Sequence, residues 1–283
     1  MSIVIKGKKD SYKLEEKIAE GGASTIYSGV AIKSGKKIVF KVPKLEKGGL
    51  YALAFENECE IMNKFKGKKH LIQMIENIQQ PNRNCIIYPR FKGSLVDLLK
   101  EGSDFKLDES VIKVIFRHVC YALFECHKKG IAHLDIKPGN ILQGYDEKFY
   151  LTDFGSACEV YTQGVQFVTK FYASPEIVGG RCLNPICSDI WSLGVLLYEL
   201  FTGELPFKDP TDAYQCIRLF YIKLDTIFPA EIAQLLKSMF QLHPESRITV
   251  AELLKNPWVA EPNVGFSSSR FFTQALNKLR RTR

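Results

Sequence analysis

Asn140 and Asp153 lie thirteen residues apart near the middle of the chain, and the stretch around them limits the fold more than any other. It reads His133-Leu134-Asp135-Ile136-Lys137-Pro138-Gly139-Asn140, then Ile141-Leu142, a polar turn, Phe149-Tyr150-Leu151-Thr152 and Asp153-Phe154-Gly155. Its polar members are those a phosphoryl transfer needs. Asp135 can accept a hydroxyl proton, Lys137 can neutralise a phosphate, and Asn140 with Asp153 offers hard oxygen ligands for magnesium. The apolar residues between them predict two short strands of a hairpin, which holds both carboxylates at one spacing.

The run H-x-D-x-K-P-x-N followed by D-F-G resembles the catalytic and metal-binding loops of eukaryotic serine/threonine protein kinases. The resemblance extends over residues 12–260. It implies an α+β, bilobal fold: a small β-rich lobe with one main helix over residues 1–88, a hinge at 89–93 and a larger, mostly helical lobe at 94–260. A basic tail, 261–283, follows. It also implies ATP and magnesium as cofactors and a protein as phosphoryl acceptor. Asp135 then orients the substrate hydroxyl, Lys137 steadies the γ-phosphate, and Asn140 and Asp153 hold the metal.

Composition agrees with a globular protein: 46% of residues are hydrophobic and 25% charged. The longest near-apolar run, Ile190 to Phe201, is too short to span a bilayer and carries Glu199, so no membrane span is expected. Met1 to Lys6 lacks a signal-peptide core, and Ser2 is not a myristoylation glycine. The eight cysteines form no C-x-x-C pair; Cys182 and Cys187 come nearest, with no histidine at zinc-ligand spacing. Reduced thiols in a cytoplasmic or nuclear protein are therefore expected. The net charge of +8 is uneven, with +7 in residues 1–88, −3 in 89–260 and +4 in 261–283. Such asymmetry fits anionic partners or docking between segments, although a solvated basic face is its commoner meaning. No nucleic-acid partner is expected.

The first ninety residues read mostly as short strands. Ala19-Glu20-Gly21-Gly22-Ala23-Ser24-Thr25-Ile26 is similar to the kinase phosphate loop G-x-G-x-x-G-x-V, with only Gly21 in place and Ala19 and Ser24 replacing the outer glycines. Small residues permit close approach, at a cost wherever φ must be positive. A strand with a central lysine, Lys37 to Val42, follows, and a cleft-facing ammonium there needs an anion. Phe55 to Phe65 has helical spacing. The resemblance pairs its Glu58 with Lys41 over the nucleotide phosphates and leaves Glu56 and Glu60 to solvent. It also sets Val39 against adenine, makes Ile87 the gatekeeper before the hinge and Tyr88 the residue after it, and has Arg90 supply the amide that meets adenine. The implied nucleotide site is thus Ala19, Gly21, Ser24, Ile26, Val39, Lys41, Tyr88, Arg90 and Leu142.

In the second lobe, Glu109 to Lys129 carries helical periodicity with a Lys-Lys-Gly stop, and its His118 and His127 fit structural or surface roles. The resemblance gives His133 a packing role and stacks Met62, Met74, His133 and Phe154 as an apolar spine between the lobes. Leu134 stands where phosphorylation-dependent kinases carry an arginine. Activity without strict need for activation-loop phosphorylation is therefore expected. The segment Asp153 to Glu176 ends Ser174-Pro175-Glu176, and Glu176 is expected to pair with Arg247. Asp189 is expected to brace the catalytic-loop backbone. Lys137 with Thr169 marks the serine/threonine class. Ser94 and Gly139 stand where basophilic kinases place acids, leaving Glu199 alone, which disfavours a strongly basic substrate consensus.

In the tail, Phe272, Ala275, Leu276 and Leu279 share one helical face ringed by basic residues. Such a helix suits calmodulin, an anionic surface or docking on its own second lobe, against the plainer reading of a packed or frayed terminus. Two further readings stay open. A pseudokinase binds partners or nucleotide without turnover, and the depleted glycine loop and Leu134 fit it. A small-molecule kinase of similar fold is disfavoured by the Thr169–Glu176 segment and by Asp189-Ile190-Trp191-Ser192.

Overall fold

The computed structural model of the chain describes residues 3–44, 49–80, 83–100, 107–160, 168–181 and 184–260. The tail, and with it the amphipathic helix expected there, lies outside them, as does Cys182. The first lobe is an antiparallel sheet of six strands: β1 (Val4–Lys6), β2 (Ser11–Glu20), β3 (Ser24–Ala31), β4 (Lys37–Pro43), β5 (Glu76–Gln80) and β6 (Arg83–Pro89). Their spatial order is β1-β2-β3-β4-β6-β5. The helix α1 (Leu50–Lys64) connects β4 to β5 and begins five residues before the periodic segment did. Gly49 at φ 81° precedes it, a left-handed position that glycine adopts without a Cβ penalty.

Strand β6 is buried on both faces, from Cys85 to Tyr88. Ile38, Phe40, Cys85 and Ile87 pack in one apolar cluster with Tyr12 and Ile78. Ile86 and Tyr88, the alternate residues of β6, belong instead to the cluster under α1 that continues into the second lobe. Period-two alternation sends successive side chains to opposite faces, so one strand serves both cores.

A short strand β7 (Gly93–Ser94) and helix α2 (Leu95–Lys100) lead into the second lobe, whose first long helix is α3 (Glu109–His127). Asp108 caps α3 by accepting from the Ser110 amide at 2.8 Å. Then come β8 (Ile131–Ala132), β9 (Ile141–Gln143), β10 (Phe149–Leu151) and β11 (Cys158–Glu159). β9 and β10 form the predicted hairpin, in register from Phe149 opposite Gln143 to Leu151 opposite Ile141. The helices α4 (Pro175–Val178), α5 (Pro185–Thr202), α6 (Ala213–Ile227), α7 (Ala230–Met239) and α8 (Val250–Leu253) complete it. α5 is apolar nearly all round because it is the centre of the lobe: Ile190 to Tyr198 are all buried. No helix among the described residues is long and apolar enough to cross a membrane.

The lobes meet along one apolar seam. Met62, His133 and Phe154 are buried and Met74 packs against the same cluster. The His133 and Phe154 rings meet edge to face with centroids 4.6 Å apart.

Candidate active site

The catalytic loop is held by its backbone. The Asp189 carboxylate on α5 accepts from the amides of His133 at 2.8 Å and Leu134 at 2.7 Å. His127 reaches the same carboxylate at 2.8 Å. Asp189 is fully buried, and these three contacts satisfy its oxygens there. Leu134 sits at φ 63°, a left-handed position uncommon for a non-glycine residue, and the two bonds to Asp189 hold it. His133 accepts the Asp135 amide at 3.2 Å and meets the Thr152 carbonyl at 3.0 Å, which ties the loop to the strand ahead of Asp153. His118 accepts the Phe149 amide at 3.2 Å.

Asp135, Lys137, Asn140 and Thr169 form one hydrogen-bonded cluster. The Asn140 amide nitrogen donates to Asp135 Oδ2 at 2.7 Å and to the Asp135 carbonyl at 2.8 Å. That commits the nitrogen and leaves Asn140 Oδ1 as an acceptor. The Lys137 ammonium contacts Asp135 Oδ2 at 2.7 Å and Thr169 Oγ1 at 2.6 Å.

The second cluster joins the lobes. Lys41 on β4 reaches Glu58 Oε2 on α1 at 2.5 Å and Asp153 Oδ1 at 2.8 Å. Three segments far apart in sequence converge on one ammonium. Burial alone would lower the Lys41 pKa, but the carboxylates of Asp153 and Glu58 outweigh it and hold it raised. Burial would raise Asp153, yet Lys41 beside it brings its carboxyl down to about 2. Burial pushes Glu58 up, against the pull of Lys41. As expected, Glu56 and Glu60 face solvent.

Over the cleft, β2 and β3 close a hairpin in which the Gly21 amide donates to the Ser24 carbonyl at 2.8 Å. No residue from Ala19 to Ser24 has a positive φ, so the cost anticipated for Ala19 and Ser24 is not incurred. A Cβ on Gly21 would meet only the Ser24 carbonyl, at 3.4 Å. Ala19 faces Ile26 across the hairpin, and Lys44 anchors its far side through the Ala23 carbonyl at 2.9 Å. Val39 from one lobe and Leu142 from the other pack against the same interlobe core.

Two expectations at the hinge fail, both by one residue. Ile87 is not the gatekeeper, because it faces the sheet's other core. Tyr88 takes that place, 2% exposed, and its hydroxyl donates to Glu58 Oε1 at 2.8 Å. Arg90 does not offer its amide to a nucleotide, since that N–H is spent on the Lys37 carbonyl at 3.2 Å. The Lys92 amide is likewise spent on Gln143, at 2.9 Å, which leaves Phe91 as the hinge position whose N–H goes to neither strand.

Sequence reasoning also missed Asn57. Its amide nitrogen reaches from α1 to the carbonyls of Ala157 at 2.7 Å and Phe154 at 3.3 Å. An asparagine one residue before an expected cleft glutamate was the available signal. On the far side, Glu176 and Arg247 form the predicted pair, bidentate at 2.6 and 2.8 Å. Glu199 accepts from the Tyr172 hydroxyl at 2.7 Å, and burial raises its carboxyl.

The donors suit magnesium. Asn140 Oδ1 and the second oxygen of Asp153 are hard oxygen ligands from two loops, and such a pair completed by phosphate and water is how magnesium is usually held. No cluster of three or more histidine, cysteine or acidic residues that could cage a metal occurs among the described residues.

Comparison with known proteins agrees with this geometry. The protein kinase domain family matches residues 12–259. Maternal embryonic leucine zipper kinase of Xenopus tropicalis is 29% identical over 260 residues, 88% of this chain and 39% of that protein. CBL-interacting serine/threonine-protein kinase 20 of Arabidopsis thaliana is 28% identical over 87% of this chain and 58% of its own length. Against those two, this chain spans about two fifths and under two thirds of the relative. Aurora kinase C of Mus musculus is 31% identical over 80% of this chain and 81% of its own. With the fold, the paired clusters and the matched span in agreement, the chain belongs to the protein kinase domain family.

Proposed function

We propose that this chain is an ATP- and magnesium-dependent kinase that phosphorylates serine and threonine hydroxyls of protein substrates, without a strict need for activation-segment phosphorylation. One observation carries the reading: Lys41 meets both Glu58 and Asp153 within 2.8 Å, so the cleft is assembled for a phosphate tail. Magnesium, when bound through Asn140 and Asp153, supplies charge neutralisation on the phosphates. Lys41 holds the phosphate tail in place. Asp135 orients the acceptor hydroxyl and takes its proton, and Lys137 offsets charge on the group in flight. Positioning and charge complementarity supply most of the rate in such a site. The adenine edge meets the hinge at Phe91, and Val39 and Leu142 enclose its faces.

Serine/threonine preference is supported by Lys137 and Thr169, bonded to each other and to Asp135. Independence from phosphorylation is supported by Leu134, which is 4% exposed and carries no cation to receive a phosphate. Glu199 is engaged by Tyr172, which supports a substrate preference that is not strongly basic. A cytoplasmic or nuclear location is supported by the spacing of the eight cysteines, which form no C-x-x-C pair. Incubating the purified chain with radiolabelled ATP, magnesium and a generic protein substrate tests the activity. Label that is absent from Asp135→Ala but present in wild type supports it; unlabelled wild type that still binds Mg-ATP would favour the pseudokinase reading.

A further inference from the structure

Glu58 has two carboxylate oxygens buried in the seam between sheet and helix, and only one of them meets Lys41. The other accepts the Tyr88 hydroxyl at 2.8 Å, in a fully buried contact. A buried carboxylate left one partner short is costly, so Tyr88 favours the one placement of α1 that brings Glu58 to Lys41. The neighbouring residue on α1 adds a second hold. Asn57 spans to the Ala157 carbonyl at 2.7 Å and to the Phe154 and Gly155 carbonyls at 3.3 and 3.4 Å, directly after Asp153. At the helix end, Lys64 meets Glu159 of β11 at 2.5 Å.

We infer that Tyr88 and Asn57 are positioning residues that latch α1 from inside the chain, so that the Lys41–Glu58–Asp153 cluster assembles without an outside partner. Neither side chain lies against the Asp135 cluster. Tyr88 acts through Glu58, and Asn57 acts through the backbone after Asp153. A contribution to turnover rests on the kinase activity proposed above; the latch itself does not.

Tyr88→Phe keeps the ring and removes only the hydroxyl. In the full chain, amide hydrogen exchange over α1 is expected to rise roughly tenfold, the loss appropriate to one buried hydrogen bond to a charged group, while α3 amides keep their protection. Asn57→Ala, at a half-buried position, is expected to do the same over α1 and over residues 154–157. In phosphotransfer, either variant lowers kcat by about tenfold and leaves the ATP KM within about threefold, because the misplaced helix is less often competent. Combining Tyr88→Phe with Glu58→Gln adds little to the exchange seen with Glu58→Gln alone. Unchanged α1 exchange in Tyr88→Phe and Asn57→Ala would overturn the inference. So would exchange rising equally in α3, which marks general loosening, or full additivity with Glu58→Gln. A wild type that transfers no phosphate would sink the proposed activity, and the exchange measurement would still decide the latch.

Discussion

The Thr169 hydroxyl donates to Asp135 Oδ1 at 2.6 Å. The other Asp135 oxygen is taken by Lys137 and Asn140, each at 2.7 Å. Asp135 is therefore fixed in orientation from both sides, and the residue that fixes Oδ1 comes from the segment ending at Glu176 rather than from the loop that carries Asp135. Removing only that hydroxyl, in Thr169→Val, is expected to lower kcat about tenfold or more, the usual effect of one lost bond to a charged group. Thr169→Ser keeps the hydroxyl and is expected to keep most of the rate. Steady-state kinetics on both variants check this; equal loss in the two would assign Thr169 a packing role instead.

Leu134 makes a prediction about regulation. It is buried, at φ 63°, with its amide spent on Asp189. Phosphatase-treated protein is expected to keep most of its turnover. Less than a few per cent of the original rate after treatment would refute the proposed independence.

The pair Glu176–Arg247 is buried at both ends and bidentate. Arg247→Ala leaves the carboxylate without its cation and is expected to cost about 3–5 kcal/mol. Arg247→Lys recovers only part of this, because an ammonium cannot reproduce the fork. Urea midpoints at constant slope measure both.

His118 predicts an acid limb in stability. Burial lowers its pKa from an ordinary 6.5 to about 3, and its ring must stay neutral to accept the Phe149 amide. The unfolded chain therefore binds more protons between those values, so the contribution is complete above about pH 6.5 and lost as pH falls toward 3. Urea midpoints at pH 7.5 and 5.0 are expected to differ more for wild type than for His118→Gln. An identical drop in both would show that other groups carry the acid limb.

Much of this site was legible because its chemistry is local. The segment from His133 to Asp153 carries four of the polar groups, Asp135, Lys137, Asn140 and Asp153, within one loop and hairpin, so residue type and spacing sufficed. Lys41 and Glu58 were legible only through the family resemblance, because a lysine amid β-formers suits a surface strand equally well and the helix carries Glu56, Glu58 and Glu60 alike. The hinge was not, and the reason is physical. Cys85, Ile86, Ile87 and Tyr88 are all buried, because β6 lies between two cores. A strand buried on both faces shows no alternation of polar and apolar residues, and a one-residue slip exchanges the faces unseen. That slip moved the gatekeeper to Ile87 and the hinge amide to Arg90. Strand β1 was missed for a related reason: three residues carry too little pattern, and what holds the following turn is distant, with Glu76 accepting the Lys9 amide at 3.2 Å and the Tyr12 hydroxyl at 2.8 Å.

The central claim is that Asp135 and the Lys41–Glu58–Asp153 cluster serve one transfer of phosphate to a protein hydroxyl. Transfer of radiolabelled phosphate from Mg-ATP tests it most directly, with wild type, Asp135→Ala and Lys41→Ala compared at matched folding by thermal melt. The account predicts label on serine and threonine in wild type and a loss of at least about a hundredfold in each variant. Full labelling by Asp135→Ala, or label confined to tyrosine, would contradict it.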